Sequence, residues 1–190
     1  MVSVSNANSI KNSLGKISHY PLKELCTFSR GKWIKAELLT PGKYPVVTSG
    51  QRILEYHNEF NREGQSITIA SSGAYAGFVN FWDEPIYLSN AFTVEPIDTS
   101  ILRVKFLFHF LKNNQDFIHN LSSTGGVPNV YPHDLYEMSV PVPPTDIQDA
   151  IIEILENFMS LESLLTNELE LRRQQLQYYR SSLLDHPEEI

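Results

Sequence analysis

Four short stretches of the chain carry side chains able to hold a polyanion or read a base edge. Ser29-Arg-Gly-Lys-Trp reads as an exposed turn in which Arg30 and Lys32 flank a glycine, with Lys35 just beyond. Gln51 and Arg52 follow Ser49-Gly50, and both types can make paired hydrogen bonds to base edges. Ser71-Ser-Gly-Ala-Tyr-Ala-Gly is a small-residue loop offering Ser72 and Tyr75. Leu121-Ser-Ser-Thr-Gly-Gly-Val-Pro-Asn-Val is a second such loop offering Thr124 and Asn129. Hydroxyls and loop N–H groups of this kind suit phosphate contacts. Each stretch also fits an ordinary solvated loop, and the 71–77 loop lacks the Gly-Lys-Ser/Thr ending of a phosphate-binding P-loop.

Catalytic signatures are missing. Cys26, the single thiol, has no histidine nearby in sequence, and no Gly-x-Ser-x-Gly elbow occurs. His57 has no Cys or second His at metal spacing. The acid pair Asp83-Glu84 is adjacent rather than convergent, and no nuclease-type Glu-x-Lys arrangement is present. Pro143-Pro144 follows Val142, so it does not complete the Asn/Asp-Pro-Pro motif of amino-methyltransferases. The reading is a binding protein without a metal or cofactor of its own.

Short β-rich runs must position these loops: 44–48, 66–70, 78–82, 86–89, 91–95 and 138–142. Pro21-Leu-Lys-Glu-Leu reads as a short helix with Pro at its first position. Residues 104–118 switch to three- and four-residue steps at Phe106, Leu107, Phe110, Leu111 and Phe117, a core helix. Tyr56-His-Asn lies in a polar loop. The expected class is α+β, a mixed globular domain over 1–144 and a long coiled-coil helix within 145–190, capped by Thr145 or Asp146.

From Ile147 onward apolar residues repeat in steps of four and three. Ile151, Phe158, Leu165, Arg172 and Tyr179 occupy one heptad position, and Leu155, Leu169, Leu176 and Leu183 the other, with Glu162 the polar member of that row. At about 1.5 Å per residue such a helix runs roughly 58 Å. It is too long for its own small domain to cover, so the pattern calls for a partner helix. An amphipathic helix folded back on the domain is the alternative.

Net charge is −7, concentrated at the C-terminal end: residues 147–190 hold three arginines against nine acids, whereas residues 1–60 hold eight Lys and Arg against four Glu. That split suits one DNA-facing and one protein-facing surface, and suits many other proteins too. No apolar run approaches the ~20 residues of a membrane span, and no apolar leader opens the chain, so a cytoplasmic protein is expected.

The order and spacing of seven pieces carry a resemblance. They are Ser29-Arg-Gly-Lys, Tyr44-Pro-Val-Val-Thr-Ser-Gly, Ile67-Thr-Ile-Ala-Ser-Ser-Gly-Ala-Tyr-Ala-Gly, Phe106-Leu-Phe-His-Phe-Leu, Ser123-Thr-Gly-Gly-Val-Pro-Asn-Val, Val140-Pro-Val-Pro-Pro-Thr-Asp-Ile-Gln and Glu170-Leu-Arg-Arg-Gln-Gln-Leu-Gln-Tyr-Tyr-Arg. From Leu22 onward the chain resembles the specificity subunit of type I restriction–modification systems. The resemblance implies a target-recognition domain over 1–144 that reads one half of a split DNA site. It implies a spacer and dimerisation helix over 145–190 that docks methyltransferase subunits, and in some systems a restriction subunit. Full-length members carry two domains and two antiparallel helices, so one of each implies a homodimer on two inverted half-sites. S-adenosylmethionine is then expected on the partner methyltransferase. A coiled-coil adaptor or decoy, binding restriction–modification subunits without reading DNA, is the competing reading.

Overall fold

The computed structural model describes residues 17–53, 55–123 and 126–184. In chain order the elements are β1 (Ser18–Pro21), α1 (Leu22–Leu25), β2 (Cys26–Arg30), β3 (Tyr44–Val47), β4 (Tyr56–His57) and β5 (Ser66–Ala70). There follow β6 (Val79–Trp82), β7 (Tyr87–Leu88), β8 (Ala91–Pro96), α2 (Val104–Asn113), α3 (Gln115–Asn120), β9 (Ser139–Val142) and α4 (Thr145–Leu184). This is the α+β arrangement expected, with mixed sheets followed by a long C-terminal helix. The chain divides into two compact units, 1–150 and 151–190.

The first unit is built on a four-stranded antiparallel sheet in the order β2-β8-β5-β6. β5 is buried along its whole length, and Ile67, Ile69, Phe92 and Val94 exclude water completely. An apolar residue every second position on β5 and β8 puts Ile67, Ile69, Phe92 and Val94 on one face of the sheet, and α2, with Leu107 and Leu111 buried, packs against β5, β6 and β8. Thr68 sits in the same buried strand because its hydroxyl accepts the Trp82 indole N–H at 2.9 Å. A second sheet, β4-β3-β7, pairs β3 with β7 in parallel, and β1 pairs with β9.

Four expectations are corrected. Pro21 is the last residue of β1, extended at φ −66°, ψ 142° and paired with Ser139, so it precedes the short helix rather than opening it. Ser29 and Arg30 end strand β2 against Thr93 and Phe92 instead of forming a turn. The helix read over 104–118 breaks at Asn114, whose side-chain amide donates to the Phe110 carbonyl at 2.8 Å and competes with the helical ladder. Ile118 lies two turns past Leu111 and falls on the same buried face, whereas Phe117 falls off that face and is half exposed. Tyr56-His57 is a short strand, and the His57 ring is buried edge-on to Tyr87, its Nδ1 3.1 Å from both backbone polar atoms of Thr40.

At the start of α4, Pro144 takes the cap position in place of Thr145 or Asp146: its carbonyl accepts the Gln148 N–H at 3.0 Å. Gln148 is wholly buried and fully satisfied. Its Oε1 accepts the Arg103 N–H at 2.9 Å, and its Nε2 donates to the carbonyls of Ile101 and Pro143 at 2.8 and 2.9 Å. These bonds hold the first turns of α4 inside the first unit. No described helix is long and apolar enough to cross a membrane.

Two outcomes follow from this packing. Gln148→Ala strands one donor and two acceptors, so stability should fall by on the order of 3 kcal/mol, read as a lower urea midpoint at unchanged slope. Burial pushes the Cys26 thiol up to about 12 from 9.0. The stability this proton provides is complete below pH ~9 and is lost as pH rises toward 12, because the unfolded thiol ionises first. Native protein at pH 8 should resist iodoacetamide and react once urea unfolds it.

Candidate nucleic-acid interface

The loops singled out in the sequence meet around one residue, Asn90, in the tight turn between β7 and β8. Its side-chain Nδ2 donates to Ser72 Oγ at 2.8 Å and to Ser49 Oγ at 3.3 Å, and its backbone carbonyl accepts the Ser71 N–H at 3.4 Å. One amide thereby ties the 48–52 loop, which carries Gln51 and Arg52, to the 71–77 loop, which carries Ser72 and Tyr75. The 121–130 loop joins through a bridge between Ser72 and Asn129, with Gly73 N–H to Pro128 O and Val130 N–H to Ser71 O both at 2.9 Å. Arg30 arrives beside them because Gly31 donates to the Ala91 carbonyl at 2.8 Å. A Cβ on Gly31 would lie 2.1 Å from the Ser89 carbonyl oxygen, so only glycine lets the strand end approach this turn.

The structure thus gathers Arg30, Gln51, Arg52, Ser72, Tyr75 and Asn129 around connected loops. Arg30, Gln51, Arg52 and Tyr75 are exposed. Ser72 is less free than its sequence suggests, since its oxygen already accepts from Asn90, although its O–H remains available. Asn129 spends its amide donor on Val127 O at 2.7 Å and shapes its own turn. Lys32 and Lys35 stand apart from this group. They line an open cavity of about 550 Å³ with Trp33, Thr40, His57 and Tyr87, because Lys32 N–H bonds back to Leu88 O and turns the chain toward β3, β4 and β7. Thr124 lies outside the described residues.

Four residues escaped the sequence reading. Asn90 occupies a two-residue turn between β runs, a position that signals only a turn. Arg62 donates to the Arg30 carbonyl at 2.9 Å from a chain position 32 residues away. The Tyr131 and His133 rings stack at 5.4 Å and 7°, and the Arg30 guanidinium lies 5.9 Å from the Tyr131 centroid. Alternating aromatic rings around a proline were the only clue to that stack. Among the described residues no three His, Cys, Asp or Glu side chains converge as a metal site.

The second unit is helix throughout its described length, and every residue from 157 to 184 is exposed. Its expected seam is visible at Phe158, Leu165, Leu169, Leu176, Tyr179 and Leu183, all at least half exposed, with Leu155 and Ile151 more covered. Arg172 sits in the seam and is engaged along the helix by Glu168 Oε1 at 2.8 Å and Gln175 Oε1 at 3.0 Å. A second apolar stripe was not recognised in the sequence: Leu161, Leu164, Leu171 and Tyr178, likewise exposed. At 3.6 residues per turn it lies roughly 110° around the helix from the first. Two stripes call for two neighbours.

Comparison with known proteins agrees with this arrangement. Residues 16–171 match the family model of the type I restriction modification DNA specificity domain. A Mycoplasma pneumoniae protein assigned as a type I specificity subunit is 30% identical over 176 residues, spanning 90% of this chain and 47% of the relative. The MpnII type I restriction enzyme specificity subunit from the same organism is 29% identical over 180 residues, 90% of this chain and 53% of its own. The crystal structure of a type I restriction–modification S subunit from M. genitalium superposes with a TM-score of 0.73 at 25% identity, over 91% of this chain and 48% of that one. The chain therefore spans about half the length of these relatives. With a sheet-borne cluster of connected loops, a long helix and a matching family model over most of its length, this chain belongs to the type I restriction–modification DNA specificity family.

Proposed function

We propose that the first unit is a target-recognition domain reading one half of a bipartite duplex site, and that α4 pairs with a second copy while docking methyltransferase subunits. The observation that carries this reading is the convergence of three loops and a strand end on Asn90. Loops on a buried sheet can vary in sequence while the scaffold holds them still, the arrangement a family of readers with different targets requires. Arg30 and Arg52 would supply charge and forked donors, Gln51 an amide, Tyr75 and Ser72 hydroxyls, and Lys32 and Lys35 flanking charge. Asn129, and Thr124 outside the described residues, would shape or contact the same loop region.

The seam from Ile151 to Leu183 is apolar enough to pair with a copy of itself, and antiparallel pairing would place two recognition domains on inverted half-sites. The second stripe, from Leu161 to Tyr178, is then left for a methyltransferase subunit, where S-adenosylmethionine and the chemistry would reside. No catalytic step is assigned to this chain. The decisive experiment is selection from random duplex DNA with the full chain and the methyltransferase that co-purifies with it. Two inverted half-sites at one fixed gap support the whole reading, a single half-site removes the antiparallel pair, and no enriched sequence at low salt leaves an adaptor.

Two further outcomes are expected. Arg30→Ala with Arg52→Ala should weaken binding to all duplexes and lower the slope of log K against log salt by about 2, measured by fluorescence anisotropy. Leu169→Glu should dissociate the chain's self-association in sedimentation, while Leu171→Glu should leave self-association and abolish methyltransferase co-purification.

A further inference from the structure

A second feature beside the recognition loops is a cleft of about 170 Å³ walled by Gln51, Tyr75, Phe78, Asp116 and His119. Three separate chain segments build it, and backbone contacts hold it. Gly77 adopts φ 84° and donates to Ala70 O at 2.8 Å, and a Cβ there would lie 2.9 Å from the His119 backbone nitrogen. The 71–77 loop is therefore pressed directly onto α3. The His119 Nδ1 lies 2.7 Å from the Ala76 carbonyl oxygen. A carbonyl can only accept, so Nδ1 carries the hydrogen and the bond fixes the ring against the 71–77 loop.

Asp116 is exposed at this cleft and has no hydrogen-bond or ion-pair partner among the described residues. The nearby polar groups are already committed: Gln115 Oε1 accepts from Val79 N–H at 3.1 Å and from the Lys112 ammonium at 2.9 Å. That ammonium also donates to Val79 O at 3.0 Å and sits 4.2 Å from the Phe78 ring centroid. A free carboxylate on a surface that meets phosphates costs binding energy unless a donor on the nucleic acid meets it. In the major groove the donors are the exocyclic amino groups, cytosine N4 and adenine N6, while guanine O6 and thymine O4 present lone pairs.

We infer that Asp116 is a specificity-determining acceptor that selects an amino-bearing base, adenine or cytosine, at one position of the half-site. The inference rests on the DNA-reading function proposed above. Gln51 and Tyr75 form the other wall, where an amide and a hydroxyl can each donate or accept to complete the edge. The preference is double-sided: an amino group satisfies the carboxylate, and a keto oxygen in its place leaves two lone pairs opposed.

The test compares the full chain, with its co-purified methyltransferase, against the same complex carrying Asp116→Ala in selection from random duplexes. One position that demands A or C in the unmodified complex should lose its preference, with the other positions and the gap unchanged. Replacing that adenine by purine, or that cytosine by 2-pyrimidinone, should weaken the unmodified complex on the order of 10-fold and the variant no further. An unchanged preference at every position in Asp116→Ala overturns the inference. So does a uniform gain in affinity for all duplexes, which would mean only relief of repulsion. If Asp116→Ala does not fold, the amino-free duplexes decide with the unmodified protein: full-strength binding at every substituted position overturns the proposal. Failure of the unmodified complex to select any sequence is a different result, because it removes the DNA-reading function itself.

Discussion

The geometry of the candidate interface depends on the amide of Asn90. Loops without secondary structure carry backbone and side-chain polar groups that still require partners, and a loop held only by water would not keep a set geometry. Here one Nδ2 meets two serine hydroxyls, at 2.8 and 3.3 Å, from loops more than twenty residues apart. The turn that bears it is itself set by the β7 and β8 strands, since Ser89 N–H bonds to Val47 O and Gly31 N–H to Ala91 O, both at 2.8 Å. The positions of Gln51, Arg52, Ser72 and Tyr75 thus trace back through a side chain to a buried sheet.

That division of labour has a physical basis. β5 and β8 present Ile67, Ile69, Phe92 and Val94 to a dry interior, where even one methylene of change is felt. The loop residues are solvated, and most of their side chains support nothing else. Exposed loop residues such as Gln51, Arg52 and Tyr75 can change without unfolding the domain, whereas Asn90, Gly31 and Gly77 occupy places where geometry restricts the choice. Gly31 and Gly77 face backbone atoms 2.1 and 2.9 Å from a would-be Cβ, and each lets a recognition segment lie close against its support.

The long helix shows the complementary logic. Gln148 holds its first turns through three hydrogen bonds, and residues 157–184 are exposed. A helix of this length with apolar side chains on two stripes is stabilised chiefly by what covers those stripes. Glu162 and Arg172 interrupt the first stripe, and charged seam positions limit which register and orientation a partner helix can take. In sequence, the acids concentrate after residue 147 and the cations before residue 60.

Much of the fold was legible in the sequence because local rules govern it. Alternation in 66–70 and 91–95 specified buried strands, the heptads after Ile147 specified the long helix, and Gly-rich stretches marked the loops between the strands. The seven pieces together identified the family. The division of the 104–118 segment at Asn114 was not legible, since no local pattern marks it, and Ile118 rather than Phe117 takes the buried face two turns past Leu111. Neither was the second stripe on α4, because a heptad search stops at the first register that fits. Which loops share a surface was beyond reach: Asn90 meets Ser49 across 41 residues and Arg62 meets Arg30 across 32. Sequence alone therefore determined the elements, the chemistry on offer and the family. Only the tertiary structure decided that Arg30, Gln51, Ser72 and Tyr75 belong to connected loops while Lys32 and Lys35 line a separate cavity, because hydrogen bonds between distant loops have no local periodicity to betray them.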